Sequence, residues 1–112
     1  LREQLAAKGV ITADGLPAVP HKDRVLVAGI VTHRQRPMSA RGATFISLED
    51  ETGLINVVCS KGCWARYRNV ARDASALLVR GRVESATGVI NIVAEQLLPL
   101  FAPATIPSRD FR

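Results

Sequence analysis

Thr44-Phe45-Ile46-Ser47-Leu48-Glu49-Asp50-Glu51-Thr52-Gly53-Leu54-Ile55-Asn56-Val57-Val58-Cys59-Ser60 alternates apolar and polar side chains on either side of a short acidic break. β-Branched and aromatic residues at period two predict strands over 44–49 and 54–60. Asp50-Glu51-Thr52-Gly53 joins them as a hairpin, with Gly53 supplying the positive φ of a tight turn. Alternation then sorts the faces. Ile46, Leu48, Ile55 and Val57 make the core side, while Phe45, Ser47, Asn56 and Val58 point outward. A phenyl ring among polar neighbours on the outer face of a sheet is the first functional signal.

Working outward, 24–33 is a Val- and Ile-rich strand broken by Gly29, and 34–43 is a long basic loop holding Arg34, Arg36, Pro37, Arg41 and Gly42. The segment 61–73 has helical spacing, with Trp64, Tyr67 and Ala71 at i, i+3 and i+7. Two strands follow over 76–84 and 89–96, joined by Ser85-Ala86-Thr87-Gly88. Gly29 and Gly81 sit inside strands, where glycine marks the bends a small closed barrel needs. Residues 1–8 are strong helix formers stopped by Gly9, and 10–23, with Gly15, Pro17 and Pro20, is an irregular connector. Three units result: a helix and connector over 1–23, a barrel over 24–96, and a Pro-containing tail over 97–112. The order strand, loop, strand, turn, strand, helix, strand, turn, strand predicts an all-β, five-stranded Greek-key OB-fold barrel, with its helix between strands three and four and a short N-terminal helix. An SH3-like barrel has the strand number but not the helix.

The 112 residues suffice for one domain with a modest core. With 47% hydrophobic and 22% charged residues the chain has a globular balance, and no apolar run nears the roughly 18 residues of a membrane span. No signal peptide is legible, and Met38 is the sole methionine, so Leu1 is expected to be an internal position of a longer protein. Fifteen basic against ten acidic residues leave +5, and twelve of the fifteen are arginine. Such a balance suits a polyanionic partner, because the planar guanidinium pairs with phosphate and stacks on bases. Cys59 and Cys63 lack a second ligand pair for zinc, with only His21 and His33 as further soft ligands, so neither a metal nor another cofactor is expected. No nucleophile–His–carboxylate set recurs, and Glu49, Asp50 and Glu51 read as solvated turn charge; no catalytic residue is expected.

Val-Ala-Gly-Ile-Val (27–31), Thr-Phe-Ile-Ser-Leu-Glu-Asp-Glu-Thr-Gly (44–53), Ile-Asn-Val-Val (55–58) and Val-Arg-Gly-Arg-Val (79–83) together resemble one OB-fold subclass. It is the subclass of the anticodon-binding domain of class II aminoacyl-tRNA synthetases and of the C-terminal region of bacterial C-family DNA polymerase alpha subunits. Thr-His-Arg-Gln-Arg-Pro (32–37), Asn-Val-Val-Cys-Ser (56–60), Trp-Ala-Arg-Tyr-Arg (64–68) and Ser-Arg-Asp-Phe-Arg (108–112) look like the error-prone, translesion branch of the polymerases. The resemblance implies a parent nucleotidyltransferase that copies past damaged bases in a bacterial cytoplasm, with its catalytic acids in a domain upstream. It also implies that Phe45 stands where the synthetase domains stack an anticodon base, and Asn56 where a polar residue reads one.

The candidate interface for single-stranded DNA therefore comprises Phe45, Ser47 and Asn56 on the outer face, His33 at the groove edge, Arg34, Arg36 and Arg41 in the basic loop, and Arg80 and Arg82 at i, i+2 on the fourth strand. Trp64 and Tyr67 are expected to plug the barrel, and Arg66, Arg68 and Arg72 to be a solvated helix face. Gln96-Leu97-Leu98-Pro99-Leu100-Phe101 resembles the short peptides by which bacterial polymerases grip the sliding clamp; the same stretch also reads as a last strand leaving the barrel. The alternative function is a docking module for accessory proteins of a damage-tolerance polymerase, presenting Val58, Phe45 or the tail.

Overall fold

Seven residues of β2 (Thr44–Asp50) pair antiparallel with seven of β3 (Gly53–Cys59) in the register that the alternation demands: Phe45 opposite Val58, Ser47 opposite Asn56, Leu48 opposite Ile55. The structure is a computed structural model describing residues 9–38 and 41–100, so the helix expected over 1–8 and the tail beyond 100 lie outside the described residues. The hairpin turn is held by Asp50, whose Oδ1 accepts from the backbone N–H and hydroxyl of Thr52 and from the Gly53 N–H. Its Oδ2 accepts from the Ala13 N–H at 2.8 Å, which ties in the 3-10 helix Ala13–Ala18 of the connector. Asp50 is thus a structural anchor, not the solvated turn charge expected.

β1 (Arg24–Gln35), β4 (Ala76–Ala86) and β5 (Val89–Pro99) complete a closed barrel in the order β1-β2-β3-β5-β4. β1 bends: its first half pairs with β4 and its second half with β2. Gly29 lies at the crossover, where a Cβ would stand 2.8 Å from the Glu49 carbonyl oxygen. Gly81 is tighter still, its Cβ falling 2.4 Å from the carbonyl oxygen of Val93. β3 and β5 run parallel, which requires the long crossover supplied by the helical segment and β4.

Inside sit Val27, Leu48, Leu77, Val79, Val83 and Ile92, all with no accessible surface, together with Ile46, Ile55, Val57 and Leu97. The helical segment is broken at Tyr67 into α1 (Lys61–Arg66) and α2 (Arg68–Asp73). Trp64, Tyr67 and Val70 pack against the core from the barrel end, and Ala71 is buried. β5 continues past Gln96 to Pro99, with Leu97 opposite Val79 and Leu98 opposite Leu78. The stretch compared with a clamp-binding peptide is therefore committed to the barrel as far as Pro99, and its Phe101 lies outside the described residues.

Candidate nucleic-acid interface

On the outer face of the β1–β2–β3–β5 side, side chains line up in rows across the strands. One row runs Gln35, Phe45, Val58, Val93; the next runs His33, Ser47, Asn56, Asn91. Partners in a row stand about 5 Å apart and successive rows about 7 Å apart, by strand geometry. Phe45 keeps 44% of its surface exposed. The second row is polar throughout. Among the described residues no side-chain hydrogen bond occupies Ser47, Asn56 or Asn91, while His33 Nδ1 lies 3.2 Å from the Thr32 hydroxyl. The polar row ends beside a shallow groove bordered by Leu16 and Pro17, by Leu54 and Asn56 of β3, and by Gly88 and Val89 of the β4–β5 turn.

Asn91 joins the row without a sequence signal of its own. Its outward direction was legible in the alternation of Ile90, Ile92 and Ala94, but its place beside Asn56 depends on the parallel pairing of β3 with β5.

The arginines divide. Arg41 is exposed in the β1–β2 loop with φ 53°, followed by Gly42 at φ 86°, and the aliphatic stem of Lys61 lies over Gly42. Arg36 donates from Nε to the Thr44 hydroxyl at 3.0 Å, and its guanidinium carbon sits 4.9 Å from the centre of the Trp64 ring. Three cations therefore gather where β2 begins, at the helix end of the barrel; Arg36, bound to the core-side Thr44 hydroxyl and lying over Trp64, has the parity of Arg34 rather than of Gln35 and Phe45.

Arg34 does not join them. Expected in the loop, it is a strand residue, and a bulge between Val31 and His33 shifts the β1 register by one. Alternation from Val25, Val27 and Val31 would send residue 34 outward; the extra residue reverses the parity and puts Arg34 opposite core-facing Ile46. Its Nε donates to the Ala71 carbonyl at 2.6 Å, and a terminal nitrogen donates to the Ala74 carbonyl. These are orphan acceptors at the end of α2, where a cation also complements the helix dipole.

Arg80 and Arg82 do share a face of β4, but β4 neighbours β1 and β5 rather than β2 or β3, so they lie on another wall. Arg82 is 3.7 Å from Glu95 and Arg24 is 3.0 Å from the same carboxylate. Glu95 of β5 is thus the carboxylate shared by β1 and β4 on this wall.

Cys59 and Cys63 are free thiols, the first buried. The hydrogen bond between them and burial push the Cys59 thiol well up, and the same hydrogen bond holds Cys63 below its ordinary value. Among the described residues no three His, Cys, Asp or Glu side chains group as metal ligands, and no helix is long and apolar enough to cross a membrane.

Over all 112 residues the chain is 55% identical to an error-prone DNA polymerase of Mycolicibacterium paratuberculosis (strain ATCC BAA-968 / K-10) and 56% identical to one of Nocardia farcinica (strain IFM 10152), covering 10% of each. It thus spans about a tenth of the length of these curated relatives. In shape it is similar to asparaginyl-tRNA synthetase from Pyrococcus horikoshii, with TM-score 0.66 and 20% identity over 87% of this chain and 24% of that one. It is also similar to the S. pombe Stn1-Ten1 complex, with TM-score 0.61 and 14% identity over 72% of this chain and 60% of that one. Residues 25–100 match the family described as OB-fold nucleic acid binding domain, and with a closed five-stranded barrel of that strand order the chain belongs to this family.

Proposed function

We propose that this chain is the single-stranded-DNA-holding domain of an error-prone DNA polymerase that works in DNA damage tolerance in the bacterial cytoplasm. The name of its relatives supports the polymerase parent. The observation that carries the binding mode is the exposed Phe45 ring next to a polar row in which, among the described residues, the side chains of Ser47, Asn56 and Asn91 make no hydrogen bond. Template strand crosses β2 and β3, with one base stacked on Phe45 for roughly 1–3 kcal/mol. Ser47, Asn56, Asn91 and His33 offer hydrogen bonds to the next base or sugar, and Arg36, Arg41 and Lys61 meet phosphates at the loop end. Sequence preference is weak, because every base has a face to stack. Affinity of the isolated chain is low, and the rest of the polymerase adds to it by keeping the strand close. Nucleotide addition belongs to other parts of the polymerase.

The test is a fluorescence titration of the chain with oligo-dT at several salt concentrations. Neutralising about three phosphates predicts a log–log slope of affinity on salt near −2, at about −0.7 each. Absence of binding at low salt, or wild-type binding by Phe45→Ala, overturns the reading.

A further inference from the structure

The wall built from β1, β4 and β5 carries a second exposed surface that the DNA-holding reading does not use. On β4, Leu78, Arg80 and Arg82 point outward at every second residue. Leu98 lies beside Leu78 and Gln96 beside Arg80 on β5, and Ala28 and Leu26 flank the same two residues on β1. Leu98 is 42% exposed, and Ile30, further along β1 on this face, is 63% exposed. Two adjoining grooves meet here. One runs between Leu26, Leu78 and Leu98; the other continues past Ile11, Val19 and Pro20, and Leu26 and Arg80 line both.

The charges of this wall are unequally matched. A bulge in the β4–β5 ladder at Arg80/Gly81 leaves Glu95 unpaired in the register, next to Gln96. Glu95 is shared by Arg24 and Arg82. Asp23 borders the second groove. Arg80, exposed at the junction, has no hydrogen bond or ion pair among the described residues. A guanidinium set among leucine side chains is stable in water, but a partner that covers it must bring an anion or leave a buried charge unpaired. A nucleic acid fits this wall poorly: among the described residues Phe45, Trp64 and Tyr67 all lie elsewhere, so no ring is offered to a base.

We propose that this wall is a protein-docking surface whose occupant is a peptide segment carrying carboxylates next to aliphatic side chains, one carboxylate pairing with Arg80 and the aliphatic groups filling the groove between Leu26, Leu78 and Leu98. The proposal stands on β4 and is independent of the DNA-holding face.

The experiment is a phage selection of short random peptides on the 112-residue chain, followed by fluorescence anisotropy of the enriched peptides. The expected result is enrichment of Asp- or Glu-containing aliphatic peptides, with affinity reduced roughly tenfold or more by Arg80→Glu and by Leu98→Asp. Arg80→Glu should instead retain Lys-bearing variants of the same peptides. Circular dichroism melts and oligo-dT binding by Arg80→Glu should match wild type, which separates this test from that of the Phe45 face. The proposal is overturned by no enrichment, by peptides that bind Arg80→Glu equally well, or by peptides displaced in Phe45→Ala. It is equally overturned if Arg80→Glu abolishes oligo-dT binding, making the wall a nucleic-acid surface, or if it dissociates a dimer, making the occupant a second copy.

Discussion

Arg34 Nε donates to the carbonyl oxygen of Ala71 at 2.6 Å, joining β1 to the last turn of α2 across the end of the barrel. The most basic stretch of the chain thus gives its first guanidinium to the fold rather than to a ligand. Replacing it tests that division. Arg34→Ala strips the Ala71 and Ala74 carbonyls of a charged donor, a loss of about 1–3 kcal/mol. A thermal melt should fall by roughly 4–8 °C per kcal/mol lost. Oligo-dT affinity, measured below the melt, should stay within roughly twofold of wild type, since no phosphate contact is removed. An unchanged melt with a large loss of affinity would return Arg34 to the binding groove.

Phe45→Ala should do the reverse. Removing a stacking platform costs about 1–3 kcal/mol of binding, roughly 5- to 150-fold in affinity. The melt should hardly move, because the ring is 44% exposed and contributes little to the core. Phe45→Trp should bind at least as well as wild type. Asn91→Ala, one row away, should cost less than about tenfold, as one surface hydrogen bond does.

Asp50 predicts a pH dependence. Burial pushes its carboxyl up, but hydrogen bonds from the Thr52 hydroxyl and from the Thr52, Ala13 and Gly53 N–H groups outweigh this and hold it below its ordinary value of 3.8. A carboxyl depressed in the folded state contributes stability that is complete above its unfolded value and disappears as pH falls through the folded one. Wild type should therefore lose stability below about pH 4. Asp50→Asn should be less stable at neutral pH by about 1–2 kcal/mol and should lose less on acidification. Denaturant melts at neutral and acid pH read both effects; parallel pH profiles for the two proteins would remove Asp50 from the explanation.

Two glycines give a paired prediction. Gly81→Ala places a methyl group against the Val93 carbonyl, at 2.4 Å before relaxation, and should destabilise by roughly 1–3 kcal/mol or more. Gly62→Ala, inside α1 with nothing within 4 Å of the added carbon, should stabilise by about 0.4–1 kcal/mol. Melts of equal sign for the two variants would mean that strand closure at Gly81 is looser than described.

What was legible in advance followed from local periodicity. The faces of β2 and β3 were set by alternation alone, so Ile46 and Leu48 were placed inside and Phe45 outside. The turn residues, the two strand glycines and the helical spacing of Trp64 and Tyr67 gave the element order, and that order gave the barrel. The structure departs from local pattern in parity and neighbourhood. The strand signal fades among arginines, so pattern alone ends β1 before Arg34, which the structure keeps in the strand. Charge and i, i+2 spacing put Arg80 and Arg82 together but do not show which wall their strand joins, and β4 borders β1 and β5.

The sequence alone determined which residues alternate, where the chain turns and how many strands the barrel has, because each of those depends on contacts within a few residues. Tertiary structure decided three further things: that one extra residue near Thr32 turns Arg34 inward, that closure sets Asn91 beside Asn56, and that Arg80 faces away from the Phe45 surface. Strand register and sheet order are settled by pairings between distant segments, in which a shift of one residue exchanges the inner and outer faces, and no local pattern in the chain encodes that shift.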